Sequence, residues 1–237
     1  MSVIWHDLEC GGYLEDLPLW RDLARRHGGP VLDVGAGTGR VAIDLARQGH
    51  EVVALDCDPE LLDELARRAD AVRLTTVVAD ARAFALGRRF ALVLAPMQTV
   101  QLLGGAGARA QFLRCAREHL HPDGRIAVAI AETIEAYEVP DGTLGPLPDV
   151  VQRDGAVYFS QPTAIRADAD GFVLERRRER VSAAGERTVH EDRTRLDRLD
   201  ADTLEAEARE VGLQVAGRRF IDSTEDHVGS TVVMLSA

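Results

Sequence analysis

The sequence contains no lysine: all 28 of its lysine-or-arginine positions are arginine. The chain therefore has no lysine side chain to serve as a nucleophile or to form a Schiff base. Its 39 acidic residues give a net charge of -11, which repels a phosphate backbone over most of the surface. We therefore expect no nucleic-acid partner.

Cysteine is also scarce. The three cysteines, Cys10, Cys57 and Cys115, are widely spaced and form no C-x-x-C motif. This spacing argues against a disulfide framework and against a thiolate metal site. We expect no bound metal, and we expect these cysteines to act as small buried apolar residues.

Long apolar segments are missing as well. The longest run without charge extends from 90 to 108, and Pro96, Gln98, Thr99 and Gln101 interrupt it, so it is a poor membrane span. The first ten residues carry acids where a secretory signal carries bases. We therefore expect a cytoplasmic protein that does not associate with membranes.

Strand and helix patterns alternate between residues 30 and 131. The length of 237 residues with 46% hydrophobic residues fits one globular domain that carries an insertion. Such an alternation predicts an α/β fold, with a doubly wound and mostly parallel sheet. Predicted strands cover 30–34, 51–55, 72–79, 90–95 and 125–131, the last after a turn at 122–124, and predicted helices cover 17–26, 59–69 and 109–120.

The pattern changes after Glu132. A loop rich in proline and glycine at 140–148 is followed by three charged, alternating stretches with turns at 168–171 and 183–185. We predict a β-rich antiparallel insertion at 133–199, which would form either a substrate lid or the surface of a homodimer. A last helix to 211 and strands at 213–221 and 228–235 would complete a domain spanning 30–237, preceded by an N-terminal helical lid at 1–29.

A glycine-rich motif, D-x-G-x-G-x-G, follows the first predicted strand. It places Asp33 beside Gly35, Gly37 and Gly39, where the backbone must turn sharply and lie close to a ligand. The dinucleotide fingerprint would need its third glycine at position 40, which is Arg40. A nicotinamide-dependent oxidoreductase therefore remains only the weaker alternative.

Acidic residues end the next two predicted strands. Asp56 is placed to accept hydrogen bonds from both hydroxyls of a ribose, and Asp80 from an adenine amino group. Because parallel strands bring their carboxyl ends to one edge of the sheet, both should lie near Asp33 in a shared crevice.

This set of residues resembles the class I S-adenosylmethionine-dependent methyltransferases over about residues 30 to 131. The stretch at 120–125 is also similar to that family's L-x-P-G-G, with Asp123 replacing a glycine. The resemblance implies the sheet order 3-2-1-4-5-7-6 with strand 7 antiparallel. It further implies S-adenosylmethionine as cofactor, S-adenosylhomocysteine as product, and a small-molecule acceptor methylated on oxygen or nitrogen. The implied cofactor-binding residues are Asp33, Gly35, Ala36, Gly37, Gly39, Asp56, Cys57, Asp80, Ala81, Pro96 and Gln98.

No unique catalytic base is evident. Glu132, at the end of the fifth strand, is a candidate substrate-contacting acid; His227 and His190 are candidate bases. Tyr13 could shield the sulfonium, with a hinge at Gly11-Gly12, or could simply anchor the N-terminal helix. Residues 95–99 lack the N/D-P-P-Y/F element of nucleobase methyltransferases, so we do not expect amino groups on base rings as targets. The alternative function, a non-catalytic protein of the same fold that binds S-adenosylmethionine, also remains.

Overall fold

The computed structural model describes residues 3–70, 72–140, 143, 145–224 and 227–237. Three positions of the predicted loop, 141, 142 and 144, lie outside the described residues. In the part that is described, no helix is both long and apolar enough to cross a membrane.

Seven strands form the larger sheet. They are β1 (Val31–Val34), β2 (Val52–Asp56), β3 (Leu74–Val78), β4 (Phe90–Ala95), β5 (Leu120–Ile130), β11 (Gln214–Ile221) and β12 (Ser230–Ser236). Their order is β11-β12-β5-β4-β1-β2-β3, and β12 runs antiparallel to both of its neighbours. The predicted fold class and strand order are therefore confirmed, with β11 and β12 as the sixth and seventh strands.

Helices cover both faces of this sheet. They are α1 (Val3–Cys10), α2 (Leu17–His27), α3 (Arg40–Arg47), α4 (Pro59–Arg68), α5 (Ala106–Glu118) and α6 (Ala201–Glu210), with a 3-10 turn at Thr99–Leu102. Trp20 and Leu45 are among the core residues of one face, and Phe112 and Leu204 of the other. Side chains start two of the helices: Asp58 accepts from the Glu60 N–H and Asp200 from the Thr203 N–H. Within the predicted helical lid at 1–29, the sequence located the helix at 17–26 but not α1.

The predicted insertion is an antiparallel sheet. Its strands are β6 (Tyr137–Glu138), β7 (Asp149–Arg153), β8 (Ala156–Ala167), β9 (Gly171–Val181) and β10 (Arg187–Asp197). The order is β10-β9-β8-β6, and β7 also pairs with β8. The domain boundaries and a homodimer formed through this sheet stay predictions.

One predicted turn is wrong. Residues 122–124 lie inside β5, whose pairing with β4 jumps from Phe90 opposite Leu120 to Leu92 opposite Arg125. The extra residues on β5 bulge out of the ladder. The proline and glycine there mark this bulge rather than the start of the strand.

Candidate active site

A cavity of about 540 Å³ opens at the carboxyl ends of β1 to β4. Most of the predicted cofactor-binding residues line it: Asp33, Gly35, Ala36, Asp56, Cys57, Asp80, Ala81, Pro96 and Gln98. Gly37 and Gly39 belong to the same loop without lining the cavity. A second hollow of about 440 Å³, between α2 and β11, contains none of the predicted site residues.

The glycine loop has no room for side chains. Gly35 and Gly37 have φ angles of 73° and 53°, in the left-handed region that favours glycine. A β-carbon on Gly35 would lie 2.6 Å from Cγ2 of Thr99, and one on Gly37 would lie 2.3 Å from Nε2 of His6. The loop can therefore approach a ligand and its own neighbours only as bare backbone.

Asp56 braces this loop. Its Oδ2 accepts a hydrogen bond from the Gly37 N–H at 2.8 Å, and its Oδ1 accepts one from the Asp58 N–H at 3.0 Å. An ionised carboxylate has about four acceptor positions, so two more remain for the hydroxyls of a ribose. The carboxylate thus fixes the loop and faces the cavity at the same time.

Asp80 lies at the rim of the cavity and is paired with Arg82, which the sequence analysis missed. Arg82 donates from Nε at 2.9 Å and from Nη2 at 2.6 Å, and its backbone N–H donates at 2.8 Å. These hydrogen bonds lower the pKa of the Asp80 carboxyl. An adenine amino group at this position would share Asp80 with the guanidinium.

Asp33 is the one wholly buried acid of the cavity wall among the described residues. The residue is 1% exposed, and neither carboxylate oxygen has a hydrogen-bond partner in the described part of the chain. Burial raises the pKa of Asp33 to about 7, although the charge of Arg40 opposes the shift. A buried carboxylate without partners is unfavourable unless a cation or donor lies beside it, so the site fits an ammonium group such as that of S-adenosylmethionine.

Arg40 also lines the cavity and anchors the N-terminal segment. Both of its Nη atoms donate to the carboxylate of Asp16, and Nη1 also donates to the Tyr13 carbonyl at 2.8 Å. Asp16 is fully buried and accepts from Nε1 of Trp20 at 2.8 Å as well. In the sequence, Arg40 disfavours a dinucleotide site, but no local pattern indicates this anchoring role.

The N-terminal wall of the cavity is α1. His6 and Cys10 line the cavity, and Nδ1 of His6 lies 3.3 Å from Oγ1 of Thr38. Burial lowers the pKa of His6. The sequence indicates Tyr13 as the cover of the site and carries no signal at His6, because the pattern of α1 is too short to stand out as a helix.

The rings of Tyr13 and His227 are in contact at a tilt of 44°, with centroids 4.8 Å apart. Burial raises the pKa of Tyr13 to about 12. The side chains of both lie outside the cavity lining. The expectation that they contact the reacting atoms is therefore not supported, and Tyr13 has the anchoring position that was its alternative.

Glu132 and His190 are also away from the cavity. Glu132 accepts a hydrogen bond from the Ala201 N–H at 2.8 Å and another from the Thr231 hydroxyl, so it joins α6 to β12. Glu132 does not line the cavity, and its contact with a substrate stays a prediction. His190 is exposed on β10, opposite Arg178 of β9.

Comparison with known proteins identifies the family of this cavity-bearing region. Residues 31–124 match the family model described as "Methyltransferase domain". This region is a methyltransferase domain. The resemblance seen in the glycine motif is thereby confirmed over β1 to the bulge of β5.

Curated relatives of the methyltransferase domain match over short segments. The tRNA 5-carboxymethoxyuridine methyltransferase of Escherichia coli (strain K12) is 38% identical over 66 residues, which is 25% of this chain and 25% of that protein. A probable cobalt-precorrin-6B C(15)-methyltransferase (decarboxylating) of Methanothermobacter thermautotrophicus is 32% identical over 116 residues, 46% of this chain and 57% of that protein. The chain thus spans about a quarter of the length of its first relatives.

Solved structures match the whole chain, including the insertion. The sugar N-methyltransferase KedS8 from Streptoalloteichus sp. has a TM-score of 0.76 at 18% identity, covering 100% of this chain and 94% of that one. CalS10, an amino pentose methyltransferase from Micromonospora echinaspora solved with S-adenosylmethionine bound, has a TM-score of 0.70 at 21% identity, covering 99% and 97%. At these identities the likeness establishes the class I methyltransferase fold.

Proposed function

We propose that the protein transfers a methyl group from S-adenosylmethionine to an amino nitrogen of a small molecule. The observation that carries the proposal is the buried, unpartnered carboxylate of Asp33 in one cavity with the glycine loop and Asp56. A cationic cofactor with an amino group and a ribose suits this combination of acids.

Each part of the cavity has a task in this proposal. Asp33 would hold the amino group, Asp56 the ribose hydroxyls and Asp80 the adenine edge, while Gly35 lets the backbone approach. When bound, the cofactor supplies an activated methyl group on its sulfonium. The main tasks of the protein are then to align the acceptor with that methyl and to exclude water, which α1 and the 3-10 turn do from two sides.

The choice of nitrogen rests on the positions of the four candidate catalytic residues, none of which lines the cavity, while the one histidine of the lining, His6, packs against Gly37 and Thr38 of the glycine loop. A hydroxyl acceptor needs a group that removes its proton, whereas a neutral amine attacks without such help. Glu132, Tyr13, His190 and His227 all lie outside the cavity lining. The sugar N-methyltransferase among the solved neighbours agrees with an amine acceptor.

Two measurements test the proposal. Isothermal titration with S-adenosylmethionine and S-adenosylhomocysteine should give micromolar or tighter binding, and no binding to the folded protein would refute the cofactor assignment. Mass spectrometry should then detect methylation of glucosamine or another amine in a panel that includes N-acetylglucosamine as the matched blocked acceptor. Methylation of hydroxyls alone would refute the nitrogen assignment, and tight binding without any product would favour the non-catalytic alternative.

A further inference from the structure

Helix α1 presents two faces to two different parts of the molecule. His6 and Cys10, four residues apart, lie on the face that lines the cavity. Trp5 and Glu9, also four residues apart, lie on the face that contacts the insertion. The helix therefore connects the antiparallel sheet to the cofactor cavity.

The contact with the insertion is a buried ion pair. Arg178 of β9 donates from Nε and Nη2 to the two oxygens of Glu9, both at 2.7 Å, and the Ser160 hydroxyl donates to Glu9 at 2.7 Å. The side chains of Glu9 and Arg178 are 8% and 10% exposed. The Trp5 ring lies edge-on to Tyr158 at 5.5 Å and under the Arg178 guanidinium at 5.7 Å.

The contact with the glycine loop involves the adjacent face of α1, about 100° around the helix. The His6 ring packs against Gly37, and the Thr38 hydroxyl donates to Asp7 at 2.8 Å. Arg68 of α4 also donates to Asp7, from Nη1 at 2.9 Å. Any displacement of α1 would therefore move His6 and Cys10 away from the cavity.

Nothing within α1 is sufficient to hold it in place. The helix has eight residues, without an acid in its first turn or a base in its last turn. Isolated helices this short are not stable in water, so the position of α1 depends on its contacts with other elements. The bidentate Arg178 pair is the most buried of its charged contacts.

We propose that Arg178 is a positioning residue for cofactor binding, which acts through Glu9 to hold α1 so that His6 contacts the bound adenosyl group. The insertion then contributes to cofactor retention, whatever its further role toward the acceptor. This inference rests on the proposed function only for the identity of the ligand.

Substitution of Arg178 tests the inference by titration with S-adenosylhomocysteine. Arg178→Met should weaken S-adenosylhomocysteine binding about tenfold or more, which is an ordinary size for coupling between two separated sites. Arg178→Lys should weaken binding less, because lysine keeps the positive charge opposite Glu9. Arg177→Met is the matched control, because Arg177 lies on the other face of β9 and pairs with Glu179 at 2.9 Å. Hydrogen exchange of residues 3–10 should rise in Arg178→Met alone.

A double-mutant cycle separates positioning from general stability. His6→Ala should weaken binding in the parent protein and should have little further effect in Arg178→Met, because α1 has already moved. Additive effects, or equal affinities of Arg178→Met and Arg177→Met, would overturn the inference. If Arg178→Met does not fold, Glu9→Gln provides the same cycle. Failure of the parent protein to bind S-adenosylhomocysteine would instead remove the proposed function.

Discussion

The Gly37 N–H donates to Asp56 across 2.8 Å, joining the loop after β1 to the end of β2. This bond makes the two predicted cofactor elements one unit, since the acid that faces the ribose position also fixes the loop. Loss of the Asp56 carboxylate should therefore weaken cofactor binding in two ways. The ribose hydroxyls lose an acceptor, and the glycine loop loses the hydrogen bond that fixes it.

Asp56→Ala should weaken S-adenosylhomocysteine binding by about 1 to 3 kcal/mol, because donors on the ribose and on Gly37 lose their partner. Isothermal titration measures the change. Asp63→Ala on the exposed side of α4 is the control and should bind as the parent does. Equal affinities of the two variants would refute the role assigned to Asp56.

Asp33 should make the stability of the ligand-free protein depend on pH. Because burial raises its pKa from 3.8 to about 7, the folded state keeps a proton that the unfolded chain loses. The contribution to the free energy of unfolding is therefore complete below pH about 4 and is lost as the pH rises to about 7. Chemical denaturation from pH 4 to 8 should show this decline in the parent and not in Asp33→Asn.

Cofactor affinity should change with pH in the opposite direction. An ammonium group binds the ionised form of Asp33, so affinity for S-adenosylhomocysteine should rise toward pH about 7 and level off above it. The slope should not exceed about tenfold per pH unit, the limit for release of one proton. Titration of Asp33→Asn should give weaker binding with a flatter profile, and an unchanged profile would contradict a contact between Asp33 and the amino group.

Gly37→Ala should disrupt the site for two reasons that a matched substitution separates. Gly37 and Gly49 both have positive φ angles, 53° and 92°, but a β-carbon on Gly49 meets nothing within 4 Å. Gly49→Ala should thus lose only the roughly 1 to 2 kcal/mol of left-handed strain, whereas Gly37→Ala also displaces His6. Thermal unfolding and S-adenosylhomocysteine titration should show the larger loss at Gly37.

Removal of the His6 ring completes that comparison. Gly37→Ala combined with His6→Ala should recover stability to the level of Gly49→Ala, because the clash with the ring is gone. The double variant should still bind the cofactor weakly. Recovery of full affinity would show that His6 has no contact with the ligand.

The sequence predicted those parts of the site that depend on local geometry. The strand ends carrying Asp33, Asp56 and Asp80 could be located because each follows a short apolar run, and the larger sheet brings them together as expected. Helix α1 could not be located from the sequence, because its position depends on the contact between Glu9 and Arg178, which are 169 residues apart. The orientation of Glu132 was missed for the same reason, since its donors are 69 and 99 residues away.

Arg40 illustrates a different limit. Its position in the motif was visible, but its role depends on Asp16, 24 residues earlier, and on the fold of the segment between α1 and α2. No local pattern indicates which arginine will face a buried acid. The physical reason is that ion pairs follow tertiary packing, whereas glycine loops and strand ends follow backbone geometry.

Glu132→Ala tests whether Glu132 has a structural role or a catalytic one. Removing an acceptor from the start of α6 should lower the free energy of unfolding by about 1 to 2 kcal/mol, while S-adenosylhomocysteine affinity and kcat for the best acceptor stay as in the parent. Glu210→Ala, at the exposed end of α6, should leave both stability and activity unchanged. A large fall in kcat with the loss of one limb of the pH profile, at unchanged stability, would instead make Glu132 a catalytic residue. The hydrogen bonds from Ala201 and Thr231 argue against that result, because they leave its carboxylate facing α6 and β12.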